Sequence, residues 1–302
     1  MSVPQPADLL GRIYKKWIDE LSVMSEVSLP VLRWIFEDWQ LATAEPEDVT
    51  YKHTNIGGVP GIFVTPIGAD PKQVIVFFHG GGFALGSSNS HRKMVGHLAK
   101  ACNVNAFVLD FKLAPEFKFP AQIEDGVAVI TALQAQGIKI EDITPAGDSA
   151  GGNLAIATTL TLMRDKKPVP SQVITMSPWL NMENTGITIE TNDATDFLIT
   201  REGLQGNIDR YIEGAVAATD PYANPLFADF SGFPRLYVCA ADTESLFDDS
   251  VRLNELAKKA GVDITFSIGK NQQHVFPFQA GNLARADEEI RSIAKWYKSG
   301  RK

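Results

Sequence analysis

The sequence predicts an α/β fold: a mostly parallel central sheet flanked by helices, with a helical cap above it. Three observations carry this. From Gln73 onward, short apolar runs alternate with longer segments of helical period, the pattern of a parallel sheet buried between helices. Two of those apolar runs lead straight into glycine-rich turns. Two long segments, residues 1 to about 45 and the stretch between Met176 and Leu236, do not fit the sheet and are free to cover it.

Taken in order, Leu9, Leu10, Ile13, Tyr14 and Trp17 recur at helical spacing, and an aromatic cluster of Trp34, Phe36 and Trp39 follows. The aromatics Tyr14, Trp17, Trp34 and Trp39 are read as packing within the cap, because aromatics mostly serve cores. Asn55 to Gly61 reads as a hairpin turn between two antiparallel strands at the sheet edge. Val74 to Phe78 is the clearest buried strand. After it come a helix near His91 to Cys102, a strand around Asn105 to Asp110 and a helix over Ala121 to Gln136. A strand at Ile143 to Ala146 precedes a helix from Ser149 towards Met163. The remaining elements are strands Gln172 to Met176 and Leu236 to Ala240, helix Leu246 to Ala260, strand Asp263 to Ile268 and a closing helix from Gly281 to Tyr297. The 59 residues between Met176 and Leu236 far exceed a crossover helix, which needs roughly a dozen. An insertion at about 180–230 and residues 1 to about 45 are therefore expected to form the cap.

At 302 residues and 44% hydrophobic content the chain can bury a large core, which excludes a disordered or collagen-like polymer. With 28 Lys and Arg against 36 Asp and Glu, the net charge of −8 repels the phosphate backbone that a nucleic-acid binder must attract. Cys102 and Cys239 are too few and too far apart for a disulfide framework or a zinc knuckle, and no histidine–carboxylate spacing suggests a metal site. The longest uncharged stretch, Gln73 to His91, is interrupted by three glycines and a Ser-Ser-Asn-Ser run, which no membrane span tolerates. The chain reaches Arg12, Lys15 and Lys16 without an apolar leader core, so a cytoplasmic location is the expectation.

Gly147-Asp148-Ser149-Ala150-Gly151 stands directly after a predicted strand and opens a helix. A G-x-S-x-G elbow needs glycine on both sides, because its serine sits on a sharp, strained turn where a flanking Cβ would clash. His79-Gly80-Gly81-Gly82-Phe83 also follows a strand. Acyl transfer builds negative charge on a carbonyl oxygen, and preorganised N–H donors meet it; Gly81 and Gly82 would supply two and Ala150 a third. A phosphate cradle is the competing reading. It fails because Leu85 stands where G-x-G-x-x-G requires glycine, and Ser87-Ser88 stand where a P-loop requires lysine.

A serine hydroxyl needs a base, and five histidines compete: His53, His79, His91, His97 and His274. His53 falls on the hairpin, His79 belongs to the glycine loop, and His91 and His97 lie on or near the next helix. Only His274 follows the last strand, as the order serine, acid, histidine demands. The acid follows the penultimate strand, where Asp242, Glu244, Asp248 and Asp249 compete. Asp248 and Asp249 fall in the first helical turn, where the dipole alone accounts for them, leaving Asp242 and Glu244.

Together, His79–Phe83, Leu113-Ala114-Pro115-Glu116 with Phe119-Pro120-Ala121 and Glu124-Asp125, and Gly147-Asp-Ser-Ala-Gly-Gly-Asn153 resemble the bacterial hormone-sensitive-lipase-like esterases of the α/β-hydrolase superfamily over roughly residues 70 to 280. The resemblance implies an acid at the head of acid-x-Leu-x-Asp, matched by Glu244-Ser245-Leu246-Phe247-Asp248, with Asp242 second. The family usually shows aspartate at that position and arginine where this chain has Lys112, a difference expected to affect a structural contact. Asp148 is read as an anchor of the elbow, and Glu116 and Asp125 as loop-holding hydrogen bonders. Phe83, Phe197, Phe276 and Phe278 are candidates for the pocket wall.

The motif order makes residues 1–302 one domain with a cap, because elbow, acid and histidine must converge on one sheet. The expected activity is that of a serine carboxylesterase, with Ser149, Glu244 and His274 as triad and Gly81, Gly82 and Ala150 as oxyanion hole, acting on small esters with water and no cofactor. The short acyl preference comes from the resemblance, as does a homodimer through the strand near 263–268. An amidase or another carbonyl hydrolase would use the same triad, and a silent hydrolase-fold binding protein is the alternative from a different class.

Overall fold

The alternation of apolar runs resolves into an eight-stranded sheet with neighbour order β1-β2-β4-β3-β5-β6-β7-β8. Its strands are β1 (Val49–Ile56), β2 (Val59–Pro66), β3 (Asp70–Phe78), β4 (Val104–Leu109), β5 (Ile143–Asp148), β6 (Gln172–Met176), β7 (Arg235–Ala241) and β8 (Ile264–Gly269). The structure is a computed structural model that describes residues 9–24, 27–212 and 218–300. Parts of both expected cap segments, residues 1–8, 25–26 and 213–217, lie outside the described residues.

The hairpin of β1 and β2 sits at the sheet edge and is antiparallel, as is β2 against β4, while all other neighbours are parallel. Its two-residue turn places Gly57 at φ 63° and Gly58 at φ 87°, the left-handed pair that a tight hairpin turn requires. β3 begins four residues earlier than its apolar run, with a register shift between Asp70 and Val74.

The helices are α1 (Leu9–Ser22), α2 (Leu29–Phe36), α3 (Ser88–Cys102), α4 (Ala121–Ala135), α5 (Ala150–Arg164), α6 (Thr188–Thr191), α7 (Arg201–Tyr211), α8 (Phe247–Lys259) and α9 (Ala284–Ser299). Because strand side chains alternate faces, Val74, Val76 and Phe78 join one core with α4, α5, α7 and α8, and Ile75 and Phe77 join another with α1, α3 and α9. α3 starts earlier than its apolar pattern because Ser87 caps it, accepting from the N–H groups of Asn89 and Ser90. α9 starts later than Gly281, which stands at φ 79° in a turn whose N–H donates to Asp287.

Parallel strands put all their C-terminal ends on one side. There β3 leads into the His79 loop, β5 into Ser149, β7 into the Glu244 loop and β8 into the His274 loop. No helix among the described residues is long and apolar enough to cross a membrane.

Candidate active site

Ser149 stands at φ 52°, ψ −123°, a conformation that costs about 1–3 kcal/mol and persists only where its surroundings over-determine it. Here they do. The Ser149 N–H donates to the Met176 carbonyl at 2.9 Å, and the Ser149 carbonyl accepts from Gly152, Asn153 and Trp179. The flanking glycines are obligatory: a Cβ on Gly147 would lie 2.3 Å from the Gly151 carbonyl oxygen, and one on Gly151 would lie 2.0 Å from that of Phe78.

Beside the elbow, Gly81 (φ 112°) and Gly82 (φ 61°) both occupy left-handed backbone. Asp148 ties this loop to the elbow by accepting the Gly80 N–H at 3.1 Å, with His91 Nε2 3.2 Å from the same donor. Asp148 is thus the anchor its place beside the serine suggests. His79 is buried with its Nδ1 on the Gly80 carbonyl, and burial together with the neighbouring His91 pushes its pKa down to about 4. His53 lies on β1, and His91 and His97 on α3.

His274 Nδ1 donates to Glu244 Oε2 at 2.9 Å, both side chains being fully buried. Asp242 is turned elsewhere: it is half-buried and accepts the Asn271 N–H at 2.7 Å. Burial lowers the His274 pKa, but the hydrogen bond and charge of Glu244 outweigh it and leave it above the usual 6.5; burial raises that of Glu244. In the role of base expected for it, His274 must be neutral to accept a proton. The acid limb of kcat/KM is therefore expected to have its midpoint above pH 6.5, with activity lost as pH falls through it, which a rate profile from pH 5 to 9 would check.

Several positioning groups escaped the sequence reading. Val275, directly after the histidine, is a β-branched residue at φ 54° whose N–H donates to Ser177 Oγ. The Tyr14 hydroxyl donates to the His274 carbonyl at 2.8 Å and accepts from Trp39. Within the insertion, Asp196 accepts the Ser245 N–H, and Asn192 donates to the carbonyls of Asp242 and Glu244, so the insertion holds the acid loop. On α2, Arg33 donates to the carbonyls of Ala84 and Ala114 and forks onto Glu116, whose pKa it lowers to about 2. Polar pairs so distant in sequence leave no periodic trace.

The structure also revises some expectations. Asp249 does more than meet a helix dipole: it is buried and accepts the N–H groups of Leu180 and Asn181, while burial raises its pKa to about 7. Lys112 does make a structural contact, with Asp125.

Ser149, His274, Gly81 and Gly82 open onto one cavity of about 310 Å³. Its aromatic wall is Trp17, Phe36, Trp39 and Trp179. The four phenylalanines proposed for it are absent from that wall: Phe83 stacks on Tyr211 at 3.7 Å, Phe278 on Trp39, and Phe276 packs under Gly269. Conversely, Trp17 and Trp39 do more than pack the cap, because both line the cavity onto which Ser149 opens; Tyr14 packs against both rings, and Trp34 is exposed.

Residues 75–278 match the family model described as the alpha/beta hydrolase fold. An esterase of Acinetobacter venetianus is 36% identical over 228 residues, 76% of this chain and 75% of that protein. A crystal structure of an esterase from the bacterial hormone-sensitive lipase (HSL) family superposes with a TM-score of 0.91 at 31% identity, covering 98% of this chain and 99% of that one. The chain belongs to the bacterial hormone-sensitive-lipase family of α/β-hydrolases. An acetyl-hydrolase of Streptomyces hygroscopicus is 31% identical over 271 residues, 84% of this chain and 90% of the relative.

Proposed function

We propose that this carboxylic ester hydrolase cleaves small, short-chain acyl esters through an acyl-enzyme on Ser149. A single observation carries the reading: Glu244 occupies His274 Nδ1, while the buried Nε2 has no hydrogen-bond partner among the described residues and His274 shares the cavity with Ser149. His274 Nε2 takes the Ser149 Oγ proton as Oγ attacks the ester carbonyl. The N–H groups of Gly81, Gly82 and Ala150 meet the charge that develops on the carbonyl oxygen. Collapse breaks the bond to the alcohol, which leaves with the proton from His274. Water, deprotonated by the same nitrogen, then releases the carboxylic acid and restores Ser149. Glu244 holds the tautomer and stabilises the imidazolium. Every step uses groups of the chain and water.

A cavity of about 310 Å³ lies at the small end of ligand sites, roughly 300–1,000 Å³, which supports a small ester. Residues 1–45 and about 180–230 are read as one cap over a single domain, since α1, α2 and α7 all supply cavity wall. A homodimer through β8 is supported by its place at the sheet edge with half-exposed residues. A cytoplasmic location is also proposed, in keeping with a chain that carries only two cysteines, Cys102 and Cys239, both buried.

Purified protein is expected to release p-nitrophenol from p-nitrophenyl acetate and butyrate and to act far more slowly on p-nitroacetanilide. Faster anilide turnover would favour the amidase reading; a folded protein inert towards both would favour a silent binding protein.

A further inference from the structure

The eleven-residue helix α7 contains two glycines, Gly203 and Gly206. Glycine is the poorest helix former after proline, so each calls for a reason. At Gly96 and Gly126, also in helices, the reason is crowding. A Cβ on Gly96 would lie 2.7 Å from the Tyr51 hydroxyl, and one on Gly126 would lie 2.6 Å from Phe78 Cζ. On α7, Gly206 has no such reason among the described residues. For Gly203 the nearest atom to an added Cβ is the capping Thr200 Oγ1 at 3.1 Å, a tight contact, whereas for Gly206 it is Arg210 Nη1 at 3.5 Å, ordinary contact with the end of a flexible side chain. Neither glycine has a positive φ.

What the two share is the cavity. Both line it, together with Ser149 and with His274, whose buried Nε2 has no hydrogen-bond partner among the described residues. The wall continues on one side as Leu198, Ile199 and Leu204 and on the other as Asn207 and Arg210, so the space beside the glycines has an apolar side and a polar rim. We infer that Gly206, assisted by Gly203, is a specificity-determining position: the missing side chains leave room for the alkyl part of the ester that extends from the scissile carbonyl past α7. This rests on the esterase reading of the same cavity. The glycines weaken the helix locally and widen the site, and that width sets the bulk of the hydrocarbon group admitted.

The experiment compares wild type with Gly206→Ala and Gly206→Leu on two series, p-nitrophenyl esters from acetate to octanoate and alkyl acetates from methyl to hexyl. In the series whose variable group passes α7, Gly206→Leu is expected to lower kcat/KM for the bulkiest ester the wild type accepts by about tenfold or more, the effect of filling a hydrophobic subsite. Methyl acetate should change by less than about threefold, since a loss of apolar fit does not reach the reacting atoms. Gly206→Ala should show the same trend at about threefold on the bulkiest ester while raising Tm by about 2 °C through helix propensity, so the test survives if the leucine variant does not fold. An unchanged ratio of bulky to small ester in both variants, or an equal loss on all esters, would overturn the assignment. Wild-type protein inert towards every ester would instead overturn the esterase reading, and this inference with it.

Discussion

Replacing Ser149 by alanine is expected to lower kcat for p-nitrophenyl acetate by roughly 10⁶-fold, about 8 kcal/mol of barrier, with little change in Tm. The size follows from the mechanism: without Oγ no acyl-enzyme forms, and only the oxyanion donors and the cavity remain to assist water. Stability is expected to hold because alanine keeps the Cβ, and the hydrogen bonds that impose the strained turn run through the backbone of residue 149. Glycine at the same position would relieve the left-handed strain and is expected to raise Tm while being equally inactive. The pair of variants separates loss of the nucleophile from loss of the fold, with circular dichroism melts beside the rate assay.

The second large effect concerns the acid. Glu244→Ala is expected to lower kcat about 10³- to 10⁴-fold, because His274 loses the partner that fixes its tautomer and stabilises its charged form. Asp242→Ala should cost only a fewfold, since that carboxylate accepts a backbone N–H of the histidine loop and not the imidazole. Glu244→Gln adds a sign: with the charge that raises the His274 pKa removed, the residual acid limb of kcat/KM should move to lower pH. A large loss in Asp242→Ala beside a small one in Glu244→Ala would transfer the acid role to Asp242.

The elements that buried strands specify were readable from sequence, because a run such as Val74 to Phe78 can satisfy its apolar residues only inside a sheet. The elbow was readable for a different reason: the steric demands at Gly147 and Gly151 leave few substitutes, so the chemistry shows in the residue types. The acid was not resolved by residue type alone. Asp242 and Glu244 are two positions apart in one loop, and their orientations are set by Asn192 and Asp196, some 50 residues upstream, whose hydrogen bonds leave no pattern. Nor was the cavity wall legible. Helical spacing in α1 marks Tyr14 and Trp17 as one apolar face, but not that Trp17 lines the cavity onto which Ser149 opens while Phe83 turns to Tyr211.

Intact-mass analysis after treatment with a p-nitrophenyl alkylphosphonate tests the central assignment most directly. Attack by Ser149 Oγ on phosphorus expels p-nitrophenolate and leaves a stable phosphonyl serine. The result expected is one adduct per chain, one equivalent of p-nitrophenolate, the label on the peptide containing Ser149, and none in Ser149→Ala. A label on any other residue, or an unlabelled protein that still hydrolyses p-nitrophenyl acetate, would contradict it.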